Sequence, residues 1–186
     1  MTNICKFEED TKNYLARFYE ILEEMIQGME GAELSNSLSH NFIVQMIPHH
    51  MAAIEMSKNL LKYNPCAPLR IMAENIVSMQ ARGIDEMKEA LEPCCKLINS
   101  SQDLCLYQHR FRQITRNMHI EMNNACSDNN ISANFMREMI PHHQGAIYMA
   151  ENALRYCVCP RLQPMLEDII VSQRREVREM NRLLGC

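Results

Sequence analysis

The 186-residue sequence contains no tryptophan and only five glycines. Valine and threonine together number eight, and no stretch alternates apolar and polar residues for long, so strands are not expected. No window approaches about eighteen consecutive apolar residues, which excludes a transmembrane helix. The Gly-rich phosphate loop, the GxSxG elbow and the HExxH zinc motif are all missing. The first thirty residues are polar and hold no apolar secretory core, so a cytoplasmic location is expected, or an exported one if a leader has been removed. Positive charge is not in excess: the formal net charge is −4, which argues against a nucleic-acid partner. The densest basic stretch, Arg174, Arg175, Arg178 and Arg182, is interleaved with Glu176 and Glu179 as on a solvated helix face.

What the chain has in quantity is soft donor atoms: 16 Met, 9 Cys and 7 His. The length favours one domain, and 47% hydrophobic with 23% charged residues is ordinary globular composition. An odd number of cysteines cannot all pair within the chain, so mostly reduced thiols are expected. Cys94-Cys95 and Cys157-Val158-Cys159 are too short as motifs to specify a metal site, and a structural or incidental role is the expectation.

Comparing each residue with the one 93 positions later gives 33 identities in 93 positions. Residues 1–93 and 94–186 therefore read as an internal duplication within one domain. Asn41 to Tyr63 matches Asn134 to Tyr156 at 13 of 23 positions, centred on Met46-Ile47-Pro48-His49-His50 and Met139-Ile140-Pro141-His142-His143. Tyr14, Arg17, Phe18, Ile21, Met25 and Met29 match Tyr107, Arg110, Phe111, Ile114, Met118 and Met122.

Each copy reads as three helices. Phe18, Ile21, Leu22, Met25 and Met29 form one stripe of a first helix over about Asp10 to Gly28. Ser39 and Ser132 are expected to cap the second helices, which should end before Asn64-Pro65 and near Cys159-Pro160. The third helices are expected from about Leu69 to Leu91 and Leu162 to Leu184. Short connections near 64–68 and 157–161 make neighbouring helices antiparallel, and two such hairpins build an all-α, antiparallel four-helix bundle with an additional helix at the start of each copy.

On the second helices, both imidazoles of each dyad flank the apolar seam, where a polar ring needs a partner. One buried histidine is ordinarily satisfied by a carbonyl or carboxylate. Two matched dyads, each with a methionine one turn earlier, point instead to His49, His50, His142 and His143 as metal ligands, neutral imidazole being the commonest such group. Met46, Met139, Met25, Met29, Met118 and Met122 are either thioether ligands or the wall that dries the site, and His119 is an additional candidate in the second copy. Thioether with imidazole suits copper, particularly Cu(I), better than magnesium or calcium. Pro48 and Pro141 lie well inside their helices and predict a kink beside each dyad. Glu74/Glu167, Gln80/Gln173 and Glu86/Glu179 correspond on the third helices, as partners of the imidazoles or as surface residues. The Glu-x-x-His pattern of di-iron carboxylate bundles is absent at the dyads.

The segments Met46 to Met56 and Met139 to Met149 resemble the signature of the domain-of-unknown-function family three hundred and five. There a His-His helix occurs twice, each followed by a helix like Ile169 to Met180. The resemblance covers about 40–91 and 133–184. It implies a ferritin-like bundle, and some relatives are linked to copper binding and tolerance. The expected function is sequestration or homeostasis of a soft transition metal, copper first, with the metal ion as partner and no catalytic residue. A homo-oligomer stays open. The alternatives are a metal-free structural or interaction bundle and an uncharacterised ferritin-like oxidoreductase.

Overall fold

Residues 9 and 10 place two carboxylates at a helix start, where the macrodipole favours negative charge, and buried Tyr14, Phe18, Ile21, Met25 and Met29 follow at helical spacing. This is α1 (Glu9–Glu30) of a computed structural model that describes residues 7–185. Five more helices follow: α2 (Leu38–Leu61), α3 (Ala67–Cys94), α4 (Ser101–Asn123), α5 (Ile131–Ala153) and α6 (Gln163–Leu184). No strand occurs among the described residues, so the expected all-α bundle is what forms. None of the helices is long and apolar enough to cross a membrane.

Three boundaries differ from the sequence expectation. Ser37 and Asn130, not Ser39 and Ser132, cap α2 and α5, accepting from the amides of His40 and Ala133. Starting there draws Leu38 into the helix, where it is fully buried; Ser39 is then free to accept from the Cys159 amide at 2.8 Å. The end of α5 comes at Ala153, well short of Cys159-Pro160. The backbone beyond it is held by distant partners, through that Ser39 bond from the other half of the chain and through Asn99 Nδ2 donating to the Cys157 carbonyl at 2.8 Å. Finally, α3 continues past Leu91 and through Pro93 to Cys94.

The second helices of the two halves, α2 and α5, pack against each other at the centre. The flanks of α2 are covered by α1 and α3, and those of α5 by α4 and α6. Contact between α1 and α4 closes one side, whereas α3 and α6 border a cavity of about 380 Å³. The aromatic core is Tyr14, Phe18, Phe42, Tyr107, Phe111 and Phe135. Asn59 Nδ2 donates to the Tyr14 carbonyl at 3.0 Å, and 93 residues later Asn152 Nδ2 donates to the Tyr107 carbonyl at 3.1 Å. Pro48 and Pro141 both lie inside unbroken helices. Glycine lets neighbours approach these helices: a Cβ on Gly28 would stand 2.8 Å from Pro48 Cβ, and one on Gly145 would stand 2.4 Å from Met118 Sδ.

Candidate metal centre

The central pairing of α2 with α5 brings all four dyad histidines together, each 3% exposed or less. His49 and His142 stack with ring centroids 3.7 Å apart. His50 lies 6.2 Å from His49, and His143 lies 5.7 Å from His142. Burial, reinforced by the neighbouring imidazoles, holds His49 and His142 well below the ordinary histidine range. Burial and the proximity of His143 push His50 down to about 3. These three rings are neutral at neutral pH, the form that binds metals.

Their partners assign the ring protons in the second half. His142 Nε2 lies 3.2 Å from the His49 carbonyl; a carbonyl only accepts, so Nε2 carries the hydrogen and Nδ1 is bare. His143 Nε2 lies 2.7 Å from Glu176 Oε2 and donates to it. The Nδ1 atoms of His142 and His143 face each other at 3.4 Å. Two lone pairs at that distance repel unless a proton or a cation lies between them. Ligands about 2.0–2.1 Å from a tetrahedral ion are separated by about 3.4 Å, so the pair matches one edge of such a coordination shell.

The first half lacks these restraints. Both ring nitrogens of His49 and Nδ1 of His50 are buried without a protein hydrogen-bond partner. The residue 93 positions before Glu176 is Gly83, and a Cβ there would lie 3.3 Å from the His50 ring. Where His143 has a carboxylate, His50 therefore packs its ring against Gly83. His50 also borders the cavity between α3 and α6, whose lining combines Met79, Gln80, Met87, Met165 and Gln173 with the charged Arg82, Glu86, Asp168, Arg175, Glu176 and Arg178. Buried Oε1 atoms of Gln80 and Gln173 also lack protein donors.

A second polar pair lies away from the dyads. Tyr14 donates its hydroxyl to Glu138 Oε2 at 2.5 Å, fully buried. Burial pushes the Glu138 carboxyl up to about 8, although the Tyr14 hydrogen bond opposes it. At the matched positions, Tyr107 Oη and Gln45 Oε1 have no protein partner.

The methionines named from sequence are distributed unevenly around this centre. Met46 and Met139 are fully buried on the dyad helices. Met25 lines a cleft with Pro48 and Met51, and Met118 lines one with Pro141 and Gly145; neither cleft is lined by an imidazole. Met29 lies beside Gln45, Met122 is buried in α4, and His119 is half-buried on the same helix. Sequence reasoning passed over Met79, Met87 and Met165. The signal was present in the 93-residue matches of Met72 with Met165 and Met87 with Met180. The cysteines split in the same way. Cys94 and Cys159 are buried, and burial with a hydrogen bond to Cys159 pushes the Cys94 thiol up to about 12. Cys66, Cys95, Cys105, Cys126 and Cys157 are exposed, and Cys5 and Cys186 lie outside the described residues.

Among the described residues, no group of three or more His, Cys, Asp or Glu side chains is arranged to hold a metal ion. The His49 and His142 rings lie with centroids 3.7 Å apart and planes tilted by 33°. The donor set therefore fits a two-nitrogen chelate completed by other donors, and not a closed cage.

The model of the family described as Domain of unknown function (DUF305) matches residues 20–91 and 40–184. A solved structure of CopM in the Cu(II)-bound form is similar to this chain, with 28% identity and a TM-score of 0.61 over 79% of this chain and 95% of that one. CopM in the apo form is 30% identical with a TM-score of 0.59, covering 79% and 96%. A DUF305 fragment from Deinococcus radiodurans, 22% identical with a TM-score of 0.58 over 80% and 95%, shares the fold. Uncharacterized protein L153 of Acanthamoeba polyphaga mimivirus is 40% identical over 50 residues, 27% of this chain and only 33% of that protein. The chain, matched by the family model from residue 40 to residue 184, belongs to the DUF305 family.

Proposed function

We propose that this protein binds copper, or another soft transition metal, and serves in its sequestration or handling rather than in turnover. The observation that carries the reading is the pair of imidazole Nδ1 atoms of His142 and His143, which face each other 3.4 Å apart in a buried site. Lone pairs at that distance are unfavourable without a proton or cation between them. Likeness to CopM, solved in Cu(II)-bound and Ag-bound forms, supports copper over harder ions, as does the thioether content of the surrounding helices. We read residues 1–93 and 94–186 as two copies of one helical unit in a ferritin-like bundle, each supplying one dyad.

The competing reading is a metal-free bundle with internally satisfied histidines. The His142–His49 and His143–Glu176 hydrogen bonds favour it; the unpartnered nitrogens of His49 and His50 oppose it. Titrating the full chain anaerobically with Cu(I), its exposed thiols alkylated, separates the two. Changing all four dyad histidines to alanine is expected to abolish retention while helical circular dichroism survives. Unchanged stoichiometry in that variant refutes the proposal. So does a melting temperature that copper leaves unmoved in the native chain, because a ligand selective for the folded state must raise it.

A further inference from the structure

One end of the bundle holds two buried thiols that the imidazole centre does not use. Cys94 closes α3 and is fully buried; Cys159 lies in the connection between α5 and α6 and is buried as well. Both belong to the same core, and their thiols are within hydrogen-bonding reach of each other. The start of α2 holds both backbones in place. Ser37 Oγ donates to the Cys94 carbonyl at 2.8 Å, and Ser39 Oγ accepts from the Cys159 amide at 2.8 Å. Asn99 adds two further ties, accepting from the Leu38 amide and donating to the Cys157 carbonyl, each at 2.8 Å. The neighbouring cysteines are different: Cys157 is exposed, and so is Cys95, whose thiol donates to the Glu92 carbonyl at 3.0 Å. The duplication supplies the buried pair only once. The residue that matches Cys159 is Cys66, which is exposed, and the residue that matches Cys94 is Met1, outside the described residues.

We propose that Cys94 and Cys159 are a reversible oxidation site, joined as an intramolecular disulfide by exchange with a low-molecular-weight disulfide and released by excess thiol. In the forward step the sulfur–sulfur bond of the small disulfide breaks and one forms between the two Sγ atoms. The cysteines are oxidised, the small disulfide is reduced, and the two cysteine protons end on two molecules of small thiol. Position decides the product. An exposed thiol such as Cys105 meets only the small reagent and forms a mixed disulfide, whereas a buried thiol beside another closes on its neighbour. Burial also sets the pace. It pushes the Cys94 thiol up to about 12, although the Arg161 charge opposes it. Since the thiolate is the attacking form, exchange is slow and proceeds when the α5–α6 connection opens locally. Once formed, the bond ties the end of α3 to that connection, with the start of α2 clamped between them. It restricts the unfolded chain between residues 94 and 159 and so raises stability. The assignment stands apart from the copper reading, because it uses neither an imidazole nor a metal.

The test uses the full chain carrying Cys95→Ser and Cys157→Ser, folded and incubated with oxidised glutathione. Remaining thiols are then alkylated in denaturant and the protein is digested with trypsin. Cuts after Lys88, Lys96, Arg155 and Arg161 place Cys94 in peptide 89–96 and Cys159 in peptide 156–161. These two peptides are expected to appear joined, lighter than their sum by two hydrogens, and to separate on treatment with dithiothreitol. The melting temperature is expected to rise by about 5 °C or more on oxidation and to fall back on reduction. Adding Cys94→Ser or Cys159→Ser should abolish both effects. Where either added change unfolds the chain, the joined peptide in the folded parent variant still decides. Glutathione on the exposed Cys105 shows that the oxidant has acted. If Cys105 is modified while Cys94 and Cys159 are recovered alkylated, the proposal is overturned. A joined peptide that forms only in urea, or a melting temperature that oxidation leaves unmoved, overturns it equally.

Discussion

Glu138 is the one carboxylate among the described residues that the fold buries completely, and replacing it with glutamine should change how stability depends on pH. It accepts a hydrogen bond from the Tyr14 hydroxyl, and burial raises its pKa from the ordinary 4.5 to about 8. The folded state therefore holds a proton that the unfolded chain releases. A raised folded value means that the group's favourable contribution is complete below about pH 4.5 and is lost as pH climbs through about 8. A rise of three and a half pH units, at about 1.36 kcal/mol each, makes the full loss about 5 kcal/mol. Most of it accrues before pH 7, and about 1 kcal/mol remains to be lost between pH 7 and pH 9. The upper window is the informative one, since the buried histidines with lowered values act below their ordinary value of 6.5. The substituted amide would keep an acceptor for Tyr14, match Gln45 in the other half and bind no proton. Urea unfolding at pH 7, 8 and 9 should then show the native protein losing about 1 kcal/mol more than Glu138→Gln across the range. Parallel pH profiles for the two proteins would refute the buried, protonated carboxyl.

Two glycine substitutions should differ in cost. Gly28→Ala sets a methyl 2.8 Å from a proline ring that cannot rotate away, whereas Gly145→Ala meets the movable thioether of Met118. Urea midpoints should fall by about 1–3 kcal/mol for the first, the usual cost of overpacking, and by less for the second. Asn59→Ala and Asn152→Ala each remove a side-chain hydrogen bond to a tyrosine carbonyl and should cost about 1 kcal/mol. The Asn152 change should be the milder, because its Oδ1 is already buried without a partner and is lost with it. Glu176→Gln removes the carboxylate held by His143, and copper retention, read by equilibrium dialysis, is expected to drop about tenfold or more; retention equal to that of the native chain would contradict a role for this pair.

The helices were legible because their periodicity is strong: the stripe from Tyr14 to Met29 is buried at every predicted position. The helix ends were less so. Ser37 and Ser39 have identical capping chemistry, and only the burial of Leu38 and the distant Cys159 amide decide between them. The premature end of α5 follows from bonds to Asn99 and Ser39, partners 58 and 120 residues away in sequence, which no local pattern contains. Methionine spacing shows the same limit. Met25 and Met118 lie on apolar stripes as expected, but a stripe indicates only that a face is covered, not by what; both settle beside the prolines.

The dyads could be found from sequence because repetition made them conspicuous, and for the same reason repetition hid what distinguishes the halves. Matching residues at an offset of 93 rewards identity, so it selected Gln80 with Gln173 and Glu86 with Glu179, passed over Gly83 opposite Glu176, and used Gln45 opposite Glu138 only to set aside a di-iron pattern. Yet the mismatches control the local electrostatics. Both place a carboxylate in the second half against a neutral residue in the first. Glu138, held protonated up to about pH 8, contributes no charge at neutral pH, which leaves Glu176 as the carboxylate bonded to a dyad imidazole. Glu176 also lines the cavity that His50 borders, together with Glu86, Asp168, Arg82, Arg175 and Arg178, so the dyads differ in which imidazole holds the carboxylate and not in whether charge is near. His143 is fixed by that carboxylate, whereas His50 Nδ1 is buried without a protein partner. One side chain that the first half lacks therefore sets how firmly each matched imidazole is held.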